Sequence, residues 1–127
     1  MVAKILLLAL IIVESSGNDK AINGDAVGCL QITSAVVKDV NRIAGTKFTL
    51  QDRFDRQKSI KMAKIYLKYY GEVYTKKTGK EPDYQIYARI WNGGPNGWQK
   101  SSTKDFWQKV QKEIEKLQAE DSNQNTE

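Results

Sequence analysis

The sequence predicts a mainly helical domain of about five helices with one small β element. Apolar residues recur at spacings of three and four in several segments, turn residues separate these segments, and one stretch is short and glycine-containing. With 127 residues, 40% of them hydrophobic, the chain can bury one modest core. We therefore expect a single domain over residues 1–118 and a disordered polar tail over 119–127.

Five segments have apolar residues at helical spacing: 2–15, Thr33 or Ser34 to Gly45, about 55–76, 83–91 and about 103–118. On the third of these helices the predicted inward face is Ile60, Ala63, Leu67, Tyr70 and Tyr74. Residues 18–32 separate the first two helices, and they predict a loop followed by a short extended or hairpin segment at 27–32.

The N-terminal apolar run, residues 5–13, allows two interpretations. It is too short to cross a bilayer, which takes about 20 apolar residues. A secretory signal peptide has a basic start before the apolar run and a cleavage site of small residues after it. Here only one lysine precedes the run, and no clear Ala-x-Ala site follows. Cleavage there would also remove or unmoor Glu14. We interpret the run as a buried core helix rather than a cleaved signal.

The residue inventory excludes several kinds of catalytic site. The chain has no histidine and one cysteine, Cys29, which excludes a Ser-His-Asp triad, a Cys-His pair, a histidine-based zinc site and an intrachain disulfide. No glycine-rich phosphate-binding pattern occurs. Acid–base chemistry is left to carboxylates and tyrosines, and we expect no metal and no cofactor.

The net charge of +5 and a pI near 9.3 suit an anionic polymer, either nucleic acid or bacterial cell wall. The same charge could serve solubility alone. A non-catalytic basic protein that binds cell wall or nucleic acid therefore stays open as an alternative. Nucleic-acid binding would weaken steeply with salt and would not depend on Glu14.

Glu14 is the most unusual carboxylate, because it directly follows nine apolar residues. On a helix its neighbours are Leu7, Leu10 and Ile11, so its carboxyl is partly desolvated and its pKa is raised. A carboxyl that stays protonated near neutral pH can donate a proton to a glycosidic oxygen. Glu14 is therefore the candidate catalytic acid, the alternative being a solvated residue or the partner of a lysine.

Four blocks of sequence follow one another between residues 5 and 98. Each is similar to a short family motif. Glu14–Asn18 is similar to Glu-Ser-x-x-Asn, and Ala26–Ile32 to Ala-x-Gly-Leu-Met-Gln-Ile. Ile60–Leu67 is similar to Ile-x-x-Gly-x-x-Tyr-Leu, and Ala88–Pro95 to Ala-x-x-Tyr-Asn-x-Gly-Pro. Their order and spacing resemble the soluble lytic transglycosylase and goose-type lysozyme families. Each block alone could be a hairpin, a helix stop or core packing, but such explanations do not account for the order.

This resemblance implies an α+β lysozyme-like fold with the β-hairpin element near the active site of a peptidoglycan-cleaving enzyme. Glu14 would act as acid and then base at the MurNAc–GlcNAc bond, giving a 1,6-anhydro product. A hydrolytic lysozyme of the same fold is the alternative. Asp19 and Asp25 are the nearby candidates for its second carboxylate, and Asp25 is the better one because it leads into the segment 28–32. The residues implied in substrate binding are Ser15, Gln31, Tyr66, Trp91 and Asn92.

The sequence departs from the family pattern at several positions. Cys29 and Leu30 stand where the family usually has Leu and Met, Ala63 replaces a packing Gly, and Thr33 stands where goose-type lysozymes often carry an Asp. Trp91 replaces a Tyr near the acid, which keeps a flat ring and one donor but loses the hydroxyl. This change affects the expected substrate geometry more than catalysis.

The expected partner is the glycan strand of peptidoglycan at the bacterial cell wall, with no obligatory nucleic acid, no membrane span and a monomeric chain. The arrangement also resembles short lysozyme-like proteins encoded by bacteriophages, which reach the wall by lysis or within the virion. A bacterial protein would need export, so the sequence leaves the location open.

Overall fold

Five helices and one antiparallel hairpin make up the part of the chain, residues 2–125, that this computed structural model describes. The helices are α1 (Lys4–Ser15), α2 (Ser34–Ala44), α3 (Arg56–Thr78), α4 (Tyr84–Gly93) and α5 (Lys104–Asn125). The strands are β1 (Ile22–Asn23) and β2 (Ala26–Val27), and short 3₁₀ turns occupy Leu50–Phe54, Gly97–Gln99 and Ser101–Thr103. The predicted mainly helical fold with a small β element is confirmed. The hairpin lies earlier than predicted, at 22–27, and the segment 27–32 contributes an isolated bridge between Val27 and Ile32.

Helix α1 lies in the core, which explains why its sequence is apolar on most sides. Leu6, Ala9 and Leu10 are fully buried, and the helix packs against α5 and α4. The N-terminal apolar run is thus core helix, as predicted. None of the described helices is both long enough and apolar enough to cross a membrane.

The end of α1 is closed by two residues with positive φ. Ser16 has φ 55°, and its N–H donates to carbonyls of the preceding turn. Gly17 follows with φ 83°. This reversal stops the helix directly after Glu14 and Ser15, so both side chains lie on its final turn.

A buried arginine from a later segment supports the loop that follows the hairpin. Arg53 is 8% exposed, and its Nη1 donates to the carbonyls of Asp25 at 2.8 Å and Ile32 at 3.1 Å. Gly28, with φ 84°, lies so close that an added Cβ would be 1.9 Å from the Arg53 carbonyl oxygen. The hairpin segment is therefore held against the 3₁₀ turn at Leu50–Phe54.

Polar caps set the starts of α2, α3 and α4 close to their predicted positions. Thr33, Asp55 and Asp83 each accept a hydrogen bond from a backbone N–H in the first turn of α2, α3 and α4. Gly45 closes α2, and Gly79 closes α3, both with left-handed backbone. The starts and ends of these helices are thus encoded locally.

The buried face of α3 is wider than the predicted one. Ala63, Leu67 and Tyr74 are buried as predicted, whereas Ile60 and Tyr70 are only partly buried. Met62 and Tyr66, which were not predicted, are buried as well. The reason is that α3 packs against α2 on one side and α4 on another, and a single stripe cannot serve two neighbours.

Helix α5 extends beyond the predicted end of the domain at residue 118. Phe106, Val110 and Ile114 are buried in the core, and the helix then continues as far as Asn125, with residues 118–122 exposed. Helical hydrogen bonds are local, so a polar segment can extend a helix already fixed by packing. The prediction of a disordered tail from residue 119 differs from the structure, in which residues 119–125 are helical. Residues 126–127 lie outside the described part.

We predict that Gly28→Ala costs at least about 3 kcal/mol of unfolding free energy, because the new Cβ meets backbone and the φ is positive. Gly24→Ala is the matched control: its φ is 60°, but nothing lies within 4 Å of its Cβ position. That variant should cost about 1 kcal/mol. Urea unfolding of both measures the difference, and equal losses would contradict the close approach of Arg53.

Candidate active site

A cleft of about 260 Å³ opens where the last turn of α1 meets the start of α2 and one face each of α3 and α4. Five of the residues predicted for the site line it together: Glu14, Gln31, Tyr66, Trp91 and Asn92. The remaining lining residues are Ile32, Thr33, Val36 and Gly94. Side chains far apart in sequence therefore share one small cavity.

Glu14 is mostly buried at the end of α1. Its Oε2 accepts a hydrogen bond of 3.2 Å from the indole Nε1 of Trp91. Burial raises the pKa of Glu14 to about 7, and the bond from Trp91 opposes part of that rise. No lysine or arginine within residues 2–125 forms a salt bridge with it. A carboxyl with this pKa can give up a proton and take one back near neutral pH.

Two aromatic side chains form one wall of the cleft. The rings of Tyr66 and Trp91 meet edge to face, with centroids 5.6 Å apart and planes at 88°. Since the single N–H of Trp91 donates to Glu14, a ligand in the cleft can contact Trp91 only through its ring. Burial raises the pKa of Tyr66 to about 12, so its hydroxyl keeps its proton at neutral pH.

The hairpin fixes the side-chain amide of Gln31. The Oε1 atom accepts from Asn23 Nδ2 at 2.7 Å, and Nε2 donates to the Gly28 carbonyl at 3.0 Å. Gln31 itself has φ 53°, an uncommon conformation for a residue with a side chain. Because the side-chain N–H groups of Gln31 point at backbone carbonyls, only the second lone pair of Oε1 can accept a hydrogen bond from a ligand in the cleft.

Ser15 does not line the cleft. Its Oγ lies 2.8 Å from the carbonyl oxygen of Cys29, to which it donates, and it accepts from the N–H of Asn18 at 3.1 Å. These bonds join the end of α1 to the segment that carries Gln31. Ser15 therefore supports the position of Glu14 from behind.

Asp25 also lies outside the residues that line the cleft. Its Oδ2 accepts from Ser34 twice, from the backbone N–H at 2.9 Å and from the hydroxyl at 2.7 Å, and Arg53 Nη1 lies 3.4 Å from Oδ1. These contacts, the Ser34 backbone N–H first, lower the pKa of Asp25. The structure uses Asp25 at the N-terminus of α2 and does not bring it together with Glu14.

Sequence reasoning missed several residues that shape the site. Thr33, to which it gave no part in substrate binding, lines the cleft, as do Val36 and Gly94. It also missed Asn23 and Arg53, which hold the hairpin segment. Gly24-Asp25 is a recognisable two-residue turn signal, but the contact of Asn23 with Gln31 depends on strand register. Among the lining residues Glu14 is the only carboxylate, so the cleft offers one strong ligand to a metal ion.

We predict that Glu14→Gln stabilises the fold above neutral pH. The folded pKa of about 7 exceeds the ordinary 4.5, so folding favours the protonated carboxyl. The wild type should therefore lose stability as pH rises from about 4.5 to 7, whereas the glutamine variant should not. We expect the variant to be more stable by about 3 kcal/mol at pH 8 and equal at pH 4, by urea unfolding. An equal difference at both pH values would contradict the raised pKa.

We predict that Trp91→Phe raises the pKa of Glu14 further, because the change removes the N–H that stabilises the carboxylate while keeping most of the burial. Carbon-13 NMR titration of the Glu14 carboxyl measures this directly. Tyr66→Phe, which leaves the indole bond in place, is the control and should move that pKa less. A fall in the pKa in Trp91→Phe would contradict the assigned hydrogen bond.

The amino-acid sequence matches a known family of enzymes. A family model described as the transglycosylase SLT domain matches residues 1–114. The sequence has no significant match among curated proteins. The matched region contains every site residue that the sequence predicted, namely Glu14, Ser15, Asp25, Gln31, Tyr66, Trp91 and Asn92. The chain therefore belongs to the transglycosylase SLT domain family, and its general activity is that of a peptidoglycan lytic transglycosylase.

Proposed function

We propose that this protein cleaves the β-1,4 bond between MurNAc and GlcNAc in peptidoglycan, with Glu14 as both acid and base, and releases 1,6-anhydroMurNAc ends. The observation that carries the proposal is a mostly buried carboxyl with a pKa near 7, in a cleft that no other carboxylate within residues 2–125 lines. Such a group holds its proton without needing a charged partner.

The first step is proton transfer from Glu14 to the bridging oxygen. The bond from C1 of MurNAc to that oxygen breaks, and the GlcNAc end leaves as an alcohol. Positive charge develops at C1 and its ring oxygen, where the newly formed Glu14 carboxylate and the N-acetyl oxygen of the sugar stabilise it. Glu14 is now a base in the same position.

The second step closes the sugar on itself. Glu14 takes the proton from the C6 hydroxyl of MurNAc, and that oxygen forms a bond to C1. The product is the 1,6-anhydro sugar, and Glu14 ends protonated as it began, so no water is consumed. One carboxyl of intermediate pKa serves both steps, because it gives and receives a single proton.

The other lining residues orient the sugar. Trp91 holds the carboxyl of Glu14 and lends an apolar ring to a sugar face. Gln31 contributes an oxygen acceptor to a hydroxyl or an N-acetyl N–H. Asn92 and Tyr66 add an amide and a protonated hydroxyl to the lining of the cleft. These contacts supply the alignment of C6 with C1 that ring closure needs.

A hydrolytic lysozyme is the second candidate, and the position of Asp25 argues against it. A second carboxylate would have to lie about 5–9.5 Å from Glu14, facing the sugar. Asp25 is instead bound to Ser34 at the start of α2, and Thr33 stands in the cleft. A non-catalytic wall-binding protein is less well supported, since a desolvated Glu14 would give it no advantage.

We predict that Glu14→Gln lowers the rate of peptidoglycan cleavage by about 10²–10⁴-fold while the fold is kept, since glutamine cannot transfer the proton. Mass spectrometry of the fragments that each protein releases from purified peptidoglycan gives the two rates and identifies the wild-type product. The expected wild-type fragments lack one water relative to hydrolytic ones. Asp25→Asn is the matched control and should keep the anhydro product.

Two outcomes would contradict this proposal in different ways. Cleavage at the wild-type rate by folded Glu14→Gln would remove Glu14 from the mechanism. Water-added fragments, lost in Asp25→Asn, would make the protein a hydrolase with Asp25 as its second carboxylate.

A further inference from the structure

A second groove, of about 650 Å³, lies along the exposed side of α2 beside the catalytic cleft. It is lined by Ala35, Val36, Lys38, Asp39, Arg42, Tyr66 and Pro95. Its size falls within the about 300–1,000 Å³ typical of sites for small organic ligands. The mechanism above makes no use of it.

The groove lies directly beside the catalytic cleft. Val36 and Tyr66 line both cavities, so the two share one wall. A substituent on a sugar bound at Glu14 would therefore lie next to this groove. The groove therefore serves a ligand that is covalently part of the same substrate.

The charge of this groove is positive. Lys38 is exposed and has no salt bridge within residues 2–125, and Arg42 lies one turn further along the same face of α2. The carboxylate of Asp39 is already bonded by Arg42 at 2.6 Å and by the hydroxyl of Tyr70. Asp39 thus offsets one of the two cations, and the wall keeps a net charge of +1.

Arg42 is held in place before any ligand arrives. Its Nε and Nη2 both donate to Asp39 Oδ1, at 3.0 and 2.6 Å, and its guanidinium lies over the ring of Tyr69, 5.8 Å from the centroid. Tyr70 in turn fixes the other oxygen of Asp39. A fixed guanidinium loses less conformational entropy on binding than a mobile one, which favours specific recognition of an anion.

We propose that this groove binds the peptide stem attached to the lactyl group of the muramic acid, with Lys38 and Arg42 recognising a carboxylate of that peptide. The inference rests on the proposed function, because it places the muramic acid in the adjacent cleft. The stem leaves that sugar close to the scissile bond, it carries free carboxylates, and its backbone and alkyl side chains match the apolar part of the wall formed by Ala35, Val36 and Pro95. The groove thereby favours peptide-bearing glycan over bare glycan.

The test compares initial rates on purified peptidoglycan and on the same glycan after an amidase has removed its peptides. We expect Lys38→Glu to lower the rate on peptide-bearing glycan about fivefold and to leave the rate on stripped glycan nearly unchanged. Lys38→Arg should keep both rates. Lys112→Glu, an equal charge change at an exposed position of α5, is the control for net charge and should act alike on the two substrates.

The outcomes separate this proposal from the proposed function. An equal effect of Lys38→Glu on both substrates, or none on either, would overturn the groove assignment while leaving the chemistry at Glu14 intact. A wild type that cleaves neither substrate would overturn the proposed function. In that case a free stem tetrapeptide titrated into nitrogen-15-labelled protein decides the groove: amide shifts at Ala35 and Lys38 that vanish in Lys38→Glu support it, and no shifts overturn it.

Discussion

The burial of α1 is the constraint on which the rest of the structure depends. The helix packs its apolar faces against α5 and α4, and Glu14 follows on its last turn, so the packing that forms the core also fixes the carboxyl at its edge. Desolvating Glu14 by this amount costs about 3 kcal/mol at neutral pH. Burial of a single leucine on the same helix, such as Leu6 or Leu10, contributes about as much, so the core can sustain this cost.

A second group of contacts brings the hairpin segment to that helix end. Arg53 donates to carbonyls on both sides of the Gly28 loop, and Ser15 ties the Cys29 carbonyl to α1. Neither residue lines the cleft, yet both decide where Gln31 lies relative to Glu14. The hairpin is only two residues per strand, which is too short to be stable alone. Its position therefore depends on Arg53, a side chain that is charged, buried and satisfied by backbone oxygens.

The charges are arranged differently in the catalytic cleft and in the groove along α2. In the cleft, burial raises the pKa of the Glu14 carboxyl to about 7, and no salt bridge within residues 2–125 opposes that rise. Along α2, by contrast, the carboxylate of Asp39 is paired and Lys38 is not. One cavity thus suits proton transfer to a neutral sugar, and its neighbour suits an anion on the same polymer. The net charge of +5 gives a long-range attraction to that polymer as well.

The sequence by itself determined the helices, their caps and the catalytic candidate, because these depend on local patterns. Spacing of apolar residues located α1 to α4 to within a few residues, and nine apolar residues before one glutamate marked Glu14 as a desolvated carboxyl. The end of α5 was misjudged, since polar composition does not prevent a helix from continuing once its first turns are packed. The order of four short blocks gave the family, and the residues of the last block, Trp91 and Asn92, do line the cleft.

Only the tertiary structure decided which of the predicted residues meet. It placed Trp91 on Glu14 across a separation of 77 residues, and it bound Asp25 to Ser34 away from the cleft. It also assigned Ser15 to the support of α1 and joined the groove on α2 to the cleft through Val36 and Tyr66. Such contacts depend on helix crossing and strand register, which many distant side chains set together. A local pattern can fix the environment of one residue, but it cannot fix the distance between two elements.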